Sequence, residues 1–263
     1  MNHLIITGAS AGIGTDTARR FLAEGWAVTN LSRRPCPESA VESLACDFAD
    51  PSAVAEACEA VSERARAAER VALIHNSSLL LNDSVGEVAQ DDFMRVMQIN
   101  LAAPNALNTA VIPHMKEGSA VVYVGSTLAE KAVPGSYTYV TSKHATIGMM
   151  RATCQDLAGR GIHTACVCPG FTDTEMLRSH IGTDPETEAA VASMSAFGRL
   201  IRPEEIAETI FWAATNPVYR QRSTASSERK TEFLFSNFIV KDPWLHCSVS
   251  PGILPDLPID VRP

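Results

Sequence analysis

Short apolar runs alternate with longer segments whose apolar residues recur every third or fourth position. The short runs predict strands at His3–Thr7, Ala27–Leu31, Leu44–Asp47, Val71–His75, Ala120–Gly125 and Thr164–Cys168. The longer segments predict helices at Gly12–Glu24, Pro51–Ala67, Asp91–Met115, Tyr137–Leu157 and Pro203–Ala214. Nearly unbroken apolar strands are those of a parallel sheet buried on both faces. Strand–helix alternation with right-handed crossovers then gives the α/β class: a doubly wound parallel sheet in a three-layer α/β/α arrangement. Residues 1–217 read as one domain of this kind.

The pattern stops near Asn216-Pro217. From Val218 to Pro263 the only glycine is Gly252, Arg220–Lys230 is polar and rich in Ser and Arg, and Pro243–Pro263 is crowded with prolines. Within this atypical tail only Glu232–Val240 has the composition of a strand. Three readings stay open: a tail wrapping the surface and replacing a terminal strand, a disordered tail, or the product of a reading-frame change after about residue 218.

Composition adds limits. With 30 acidic against 22 basic residues the net charge is −8, which argues against a nucleic-acid partner. No apolar run is long enough to span a membrane and no basic leader precedes the first strand. Seven cysteines without metal-ligand spacing predict reduced thiols, no metal site and a cytoplasmic location. Cys166 and Cys168 share one face of an apolar strand and are expected to be buried there.

The chemistry begins at Thr7-Gly8-Ala9-Ser10-Ala11-Gly12-Ile13-Gly14, between the first strand and the first helix. Gly8 suits a tight turn, and Gly12 and Gly14 let backbone approach phosphate and helix pack on strand. Ser10 and Ile13 complete a cradle at a helix N-terminus, the dinucleotide site of a Rossmann fold. The second strand runs into Asn30-Leu31-Ser32-Arg33-Arg34, with no acid to bind a ribose 2′-hydroxyl. A small Ser32 followed by Arg33 and Arg34 suits a 2′-phosphate, so NADP(H) is expected in preference to NAD(H); the bland alternative is a solvated arginine pair. Asp47, with Phe48 beside it, is placed to meet the adenine or else to cap a helix, a role Asp50 before Pro51 fits better. Asn76-Ser77 and Pro169-Gly170 also fall at carboxyl ends of strands, where ligands bind in such sheets.

Tyr139-Val140-Thr141-Ser142-Lys143 lies in a predicted helix, where residues four apart share a face. A lysine beside a tyrosine lowers the phenol pKa from about 10 toward the working range. A dinucleotide cradle with an activated phenol suggests hydride transfer coupled to protonation of an alkoxide.

Together, Thr7–Gly14, Asp47, Asn76, Asn100, Ser126, Tyr139, Lys143 and Pro169-Gly170 resemble the short-chain dehydrogenase/reductase family, in order, from about residue 3 to 217. The resemblance implies a general acid at Tyr139 and a Lys143 that binds nicotinamide ribose. It implies a Ser126 hydroxyl on the substrate oxygen, an Asn100 that holds a water linking Lys143 to solvent, a Thr174 on the carboxamide and a Thr172 near phosphate. The family's Asn-Asn-Ala-Gly is His75-Asn76-Ser77-Ser78 here; His75 is expected to pack, and Ser78 to tighten the backbone near the adenosine. Leu79-Leu80-Leu81 with Met176, Leu177, Ile181, Met194 and Phe197 suggests an apolar lid. Nearby Arg178, Arg199 and Arg202 are placed to meet an anionic substrate or simply to be solvated. The expectation is an NADP(H)-dependent carbonyl reductase or alcohol dehydrogenase. A 3-oxoacyl-thioester reductase and a catalytically silent NADP-binding regulatory or scaffold protein are its rivals. A homodimer through helix Tyr137–Leu157 is expected, as in the family, and a tetramer is not, because the family-like terminal strand is absent.

Overall fold

The computed structural model describes residues 1–182, 184–195, 197–216, 233–235 and 238–241. Six strands form a parallel sheet: β1 His3–Thr7, β2 Ala27–Ser32, β3 Glu42–Ala45, β4 Val71–His75, β5 Ala120–Val124 and β6 His163–Pro169. β7 Phe233–Phe235 and β8 Phe238–Lys241 extend it antiparallel beyond β6, giving the order β3-β2-β1-β4-β5-β6-β8-β7. The single strand expected within Glu232–Val240 is therefore two paired strands. The other expectations for the tail lie outside the described residues.

Alternation along each strand divides the core into two layers. Ile5, Leu73, Val121 and Tyr123 pack under α2 Pro51–Ala67, α4 Ala103–Val111 and α5 Tyr137–Asp156. Leu4, Ile6, Ile74, Val122 and Val124 pack under α1 Gly12–Ala23 and α8 Pro203–Thr215. Complete burial of each apolar side chain contributes about 1.5–3 kcal/mol, so a sheet filled on both faces gives the site a stiff base.

Two predicted elements differ by more than one residue at an end. The third strand starts and ends two residues early because Asp47 turns the chain, its Oδ1 accepting from the Ala49 amide at 3.0 Å. Asp50 caps α2 instead, accepting from Ser52 N at 2.9 Å ahead of Pro51. The long helix expected over Asp91–Met115 is broken into α3 Gln90–Met97, a π-helical turn Gln98–Ala102, α4, and a 3-10 turn Ile112–His114. Pro104 supplies the reason. It has no N–H for the Asn100 carbonyl and its ring clashes with that carbonyl, so the wider turn absorbs the strain. Helices α6 Glu175–Ile181 and α7 Pro185–Ser193 follow β6.

Candidate active site

The β1–α1 turn is shaped to exclude side chains. A Cβ on Gly14 would lie 2.2 Å from the Gly8 carbonyl oxygen and 2.8 Å from Ala9 Cα, and Gly8 and Gly12 have φ of +77° and +53°. The Gly8 amide bonds the Leu31 carbonyl at 2.8 Å, and the Ala9 amide bonds Asn30 Oδ1 at 2.8 Å. Ala11, the N-cap of α1, offers no side-chain acceptor, and the first turn carries no acid. Its orphan amides are therefore open to an anion. This cradle fits a dinucleotide pyrophosphate. Ser10 and Ile13 sit half-buried within it.

Asn76 ties the end of β4 to this turn, donating to the carbonyls of Thr7 at 3.0 Å and Gly8 at 3.1 Å. The Thr7 hydroxyl oxygen accepts from the amides of Asn76 and Ser77, each at 2.9 Å. Ser77 Oγ stands 2.7 Å from a Cβ position on Gly8. The Ser78 hydroxyl is enclosed without a partner among the described residues. At the end of β2, Ser32 is buried and donates to the Arg34 carbonyl while accepting from Asn30 Nδ2, so its hydroxyl folds the turn. Arg33 and Arg34 are exposed beyond it, with Arg34 Nη2 2.9 Å from Glu175 Oε2. Phe48 is buried and Asp47 exposed at the adjacent strand end.

Tyr139 and Lys143, one turn apart on α5, are 8% and 3% exposed. Lys143 Nζ donates to the Val124 carbonyl at 2.8 Å and lies 5.3 Å from the centroid of the Tyr139 ring. Only one of the three ammonium donors is thereby used. The Tyr139 hydroxyl has no hydrogen-bond partner among the described residues. Ser126 caps the 3-10 turn Thr127–Ala129, its Oγ accepting from Leu128 N at 3.1 Å. The capping and substrate-binding roles of Ser126 are compatible, because the cap uses a lone pair and leaves the O–H free to donate.

Asn100 is buried in the π turn, accepting from the Leu79 amide at 2.7 Å and donating to the Leu79 carbonyl at 3.1 Å and to Ser142 Oγ at 2.9 Å. Ser142 in turn donates to the Tyr139 carbonyl at 2.8 Å. Thus Asn100, Ser142 and the backbone of Tyr139 form one chain. Across the cleft Thr174 caps α6 and its Cγ2 lies 3.1 Å from a Cβ position on Gly12. Thr172 is buried, donates to the Gly170 carbonyl at 3.1 Å and is pinned by a bridge to Ile201. Pro169 ends β6.

Other expectations meet different partners. His75 does pack: it stacks on Tyr123 at 4.9 Å and bonds Asn108 at 2.8 Å, and burial pushes its pKa down to about 4. Cys166 and Cys168 are buried with sulfurs 3.7 Å apart, filling the space above Gly125. The arginines offered to an anionic substrate are engaged by nearby carboxylates. Arg178 pairs with Asp173 and Glu188, and Arg199 and Arg202 with Glu205, whose carboxyl the Arg199 bond holds down to about 2. Met176, Met194 and Phe197 remain exposed on the flap. An open groove of about 740 Å³ lies elsewhere, lined by Met94, Met97, Leu101, Asn105 and Met149, with none of Asn100, Ser126, Tyr139 or Lys143 in its wall.

Reading from sequence missed Asn30, Ser142 and Asp83, which hold the site without touching its mouth. Their signals were weak: Ser142 lay inside the quoted helix motif, and Asn30 beside the arginines. Asp83 belongs to a loop of no regular pattern.

A family profile described as enoyl-(acyl carrier protein) reductase matches residues 8–217. The chain is 31% identical over 229 residues to the short-chain reductase protein NovJ of Streptomyces niveus, covering 80% of this chain and 86% of that protein. It is 26% identical over 225 residues to the 3-oxoacyl-[acyl-carrier-protein] reductase FabG of Thermotoga maritima, covering 81% and 89%. Among solved structures, a blue fluorescent protein from a metagenomic library in complex with NADPH superposes with a TM-score of 0.71 at 28% identity, covering 81% and 90%. No helix among the described residues is long and apolar enough to cross a membrane.

Proposed function

The chain belongs to the short-chain dehydrogenase/reductase family of carbonyl and alcohol oxidoreductases, and on that premise we propose that it reduces a ketone or aldehyde, or oxidises the matching alcohol, with NADP(H). The observation that carries the reading is the buried Lys143 ammonium beside the Tyr139 ring, with one donor on the Val124 carbonyl and no other hydrogen bond among the described residues.

The cofactor would rest on Gly8–Gly14, with its pyrophosphate toward the open amides of α1. Arg33 and Arg34 would take the 2′-phosphate, Asp47 and Phe48 would flank the adenine, and Asn76 and Ser77 would line the adenosine side. Lys143 would hold the ribose hydroxyls, with Pro169, Gly170, Thr172 and Thr174 on the nicotinamide side. When bound, the nicotinamide supplies or accepts the hydride. The protein manages the oxygen and its proton. The Ser126 O–H donates to the substrate oxygen as negative charge grows there. Tyr139 transfers its phenolic proton to that oxygen. The Lys143 charge stabilises the phenolate left behind. Asn100 would hold a water that returns a proton through Lys143, and Pro104, which has no N–H, cannot occupy the Asn100 carbonyl by an α-helical bond.

The exposed Met176, Met194 and Phe197 support a substrate with an apolar body. Because Arg178 and Arg199 are each bonded to neighbouring carboxylates, the reading does not require a free carboxylate on the substrate. A 3-oxoacyl thioester is a second reading, supported by the FabG relative. A homodimer would use the groove beside α4 and α5.

The test is a calorimetric titration with NADPH and NADH, followed by turnover on apolar ketones, aldehydes and 3-oxoacyl thioesters. NADPH is expected to bind at least about tenfold tighter, a difference of about 1.4 kcal/mol, and Arg33→Ala with Arg34→Ala to erase the preference. Tyr139→Phe is expected to keep cofactor affinity and lose turnover by a factor of about 10² or more. A preference for NADH overturns the cofactor assignment; NADPH binding without turnover on any carbonyl leaves the scaffold reading standing.

A further inference from the structure

We infer that Asp83 is a positioning residue for the catalytic tyrosine: from a distant loop it supplies the N-terminal cap of the helix that carries Tyr139 and Lys143. The inference rests on the proposed role of Tyr139.

Helix α5 begins without a local cap, since Ser136 at its N-cap makes no side-chain hydrogen bond to the first turn. Such a turn leaves orphan amides. Asp83 satisfies two of them. Its backbone carbonyl accepts from Tyr137 N at 3.3 Å, and its Oδ1 accepts from Thr138 N at 3.1 Å. Oδ2 also accepts from the Thr138 hydroxyl. The Asp83 amide completes the junction by donating to the Gly135 carbonyl at 3.1 Å, within a parallel bridge to Ser136. Neighbouring Asn82 Oδ1 lies 2.8 Å from a Cβ position on Gly135, which turns at a φ of +75°.

Thr138 is 0% exposed and precedes Tyr139. Asp83 is half-buried, so its loss leaves the buried amide and hydroxyl of Thr138 with water in place of a charged, fixed acceptor, and the first turn is expected to loosen. That turn sets the position of the phenol. A displacement of about 1 Å at a reacting group costs on the order of 10²-fold in rate.

The same loop connects the rest of the site. Asn76 holds the glycine turn, Leu79 clamps Asn100 through both backbone groups, and Asp83 holds α5. Eight residues of chain therefore set the cofactor cradle, Asn100 and Tyr139 relative to one another.

The test compares wild type with Asp83→Ala, Asp83→Asn and Thr138→Val. Steady-state kinetics, NADPH affinity and amide hydrogen exchange of the peptide over Tyr137–Lys143 are the readouts. Asp83→Ala is expected to lower kcat about 10- to 100-fold, with KM and NADPH affinity within about threefold. Exchange in the first turn of α5 should quicken roughly tenfold, as loss of one cap implies. Asp83→Asn keeps an acceptor for Thr138 N and should recover most of the rate. Thr138→Val should show a smaller loss of the same kind, which keeps the test open if Asp83→Ala does not fold. The inference fails if folded Asp83→Ala turns over like wild type, if its NADPH affinity falls in step with kcat, or if exchange in α5 is unchanged. Absence of turnover in wild type would sink the proposed function alone, because exchange still decides whether Asp83 caps α5.

Discussion

His75 shows how a polar residue at a strand end can be structural. Asn108 Nδ2 donates to the Tyr123 hydroxyl at 2.8 Å, so Asn108 Oδ1 accepts from His75 Nε2–H and the tautomer is fixed. His75 Nδ1 is then buried without a partner among the described residues. Burial depresses its pKa from 6.5 to about 4. Above the unfolded value neither state binds the proton and pH has no effect through this group. Between about 6.5 and 4 the unfolded chain takes up a proton that the native state refuses, so stability falls as pH falls. The loss levels off below about 4, at no more than about 3 kcal/mol. His75→Gln keeps a donor for Asn108 and should flatten the dependence. Urea unfolding at several pH values across that window checks this, and parallel pH slopes for the two proteins would refute it. At this scale the sequence put Tyr139 and Lys143 on one helix face, and the structure buries them there side by side. The sequence was opaque for Asp83, whose function depends on a contact across 55 positions.

At the scale of elements the β1–α1 junction separates two uses of glycine. Gly12 needs a positive φ and faces only the Thr174 side chain at 3.1 Å, whereas a Cβ on Gly14 meets backbone at 2.2 Å and Asn76 Nδ2 at 2.7 Å. Backbone cannot rotate away. Gly14→Ala is therefore expected to cost roughly 1–3 kcal/mol or more through forced displacement, and to weaken cofactor binding at least about 10²-fold, about 2.7 kcal/mol. Gly12→Ala should cost about 1–2 kcal/mol from left-handed strain. Thermal melts and NADPH titration of both variants check the ranking; a Gly14→Ala protein that melts and binds like wild type would refute the packing argument. The turn was legible because its steric demands are local. The break in the helix over Asp91–Met115 was legible in principle from Pro104 alone. It was missed because the apolar period runs through the proline, and a π turn keeps most of that period. The short third strand misled for a related reason, since Asp47-Phe48 continues the pattern while Asp47 folds the turn.

At the scale of the molecule, β6 carries Pro169-Gly170 to the site and needs a neighbour on its outer side. The register Cys166↔Lys241, Val167↔Val240, Cys168↔Ile239, Pro169↔Phe238 gives it one, antiparallel where every inner neighbour is parallel. Periodicity in the tail indicated strand but not pairing or direction, because short strands that join an edge from afar leave no local mark of their partner. Since β8 lies between β6 and β7, each of its interior N–H groups points at one of them. Ile239→Pro or Val240→Pro therefore removes a ladder bond in either case. Leaving the partner of a ladder bond unsatisfied costs about 1–3 kcal/mol, which for a domain of this size lowers Tm by about 2–12 °C. Unpairing the edge also exposes the β6 backbone to other chains, so light scattering after mild heating should show association earlier than in wild type. Both substitutions leave the glycine turn and Tyr139 untouched, so any fall in NADPH affinity should be small beside the fall in Tm. Unchanged melting in both variants would mean that the hairpin does not hold β6 in solution, and that the parallel strands alone stabilise the edge next to the site.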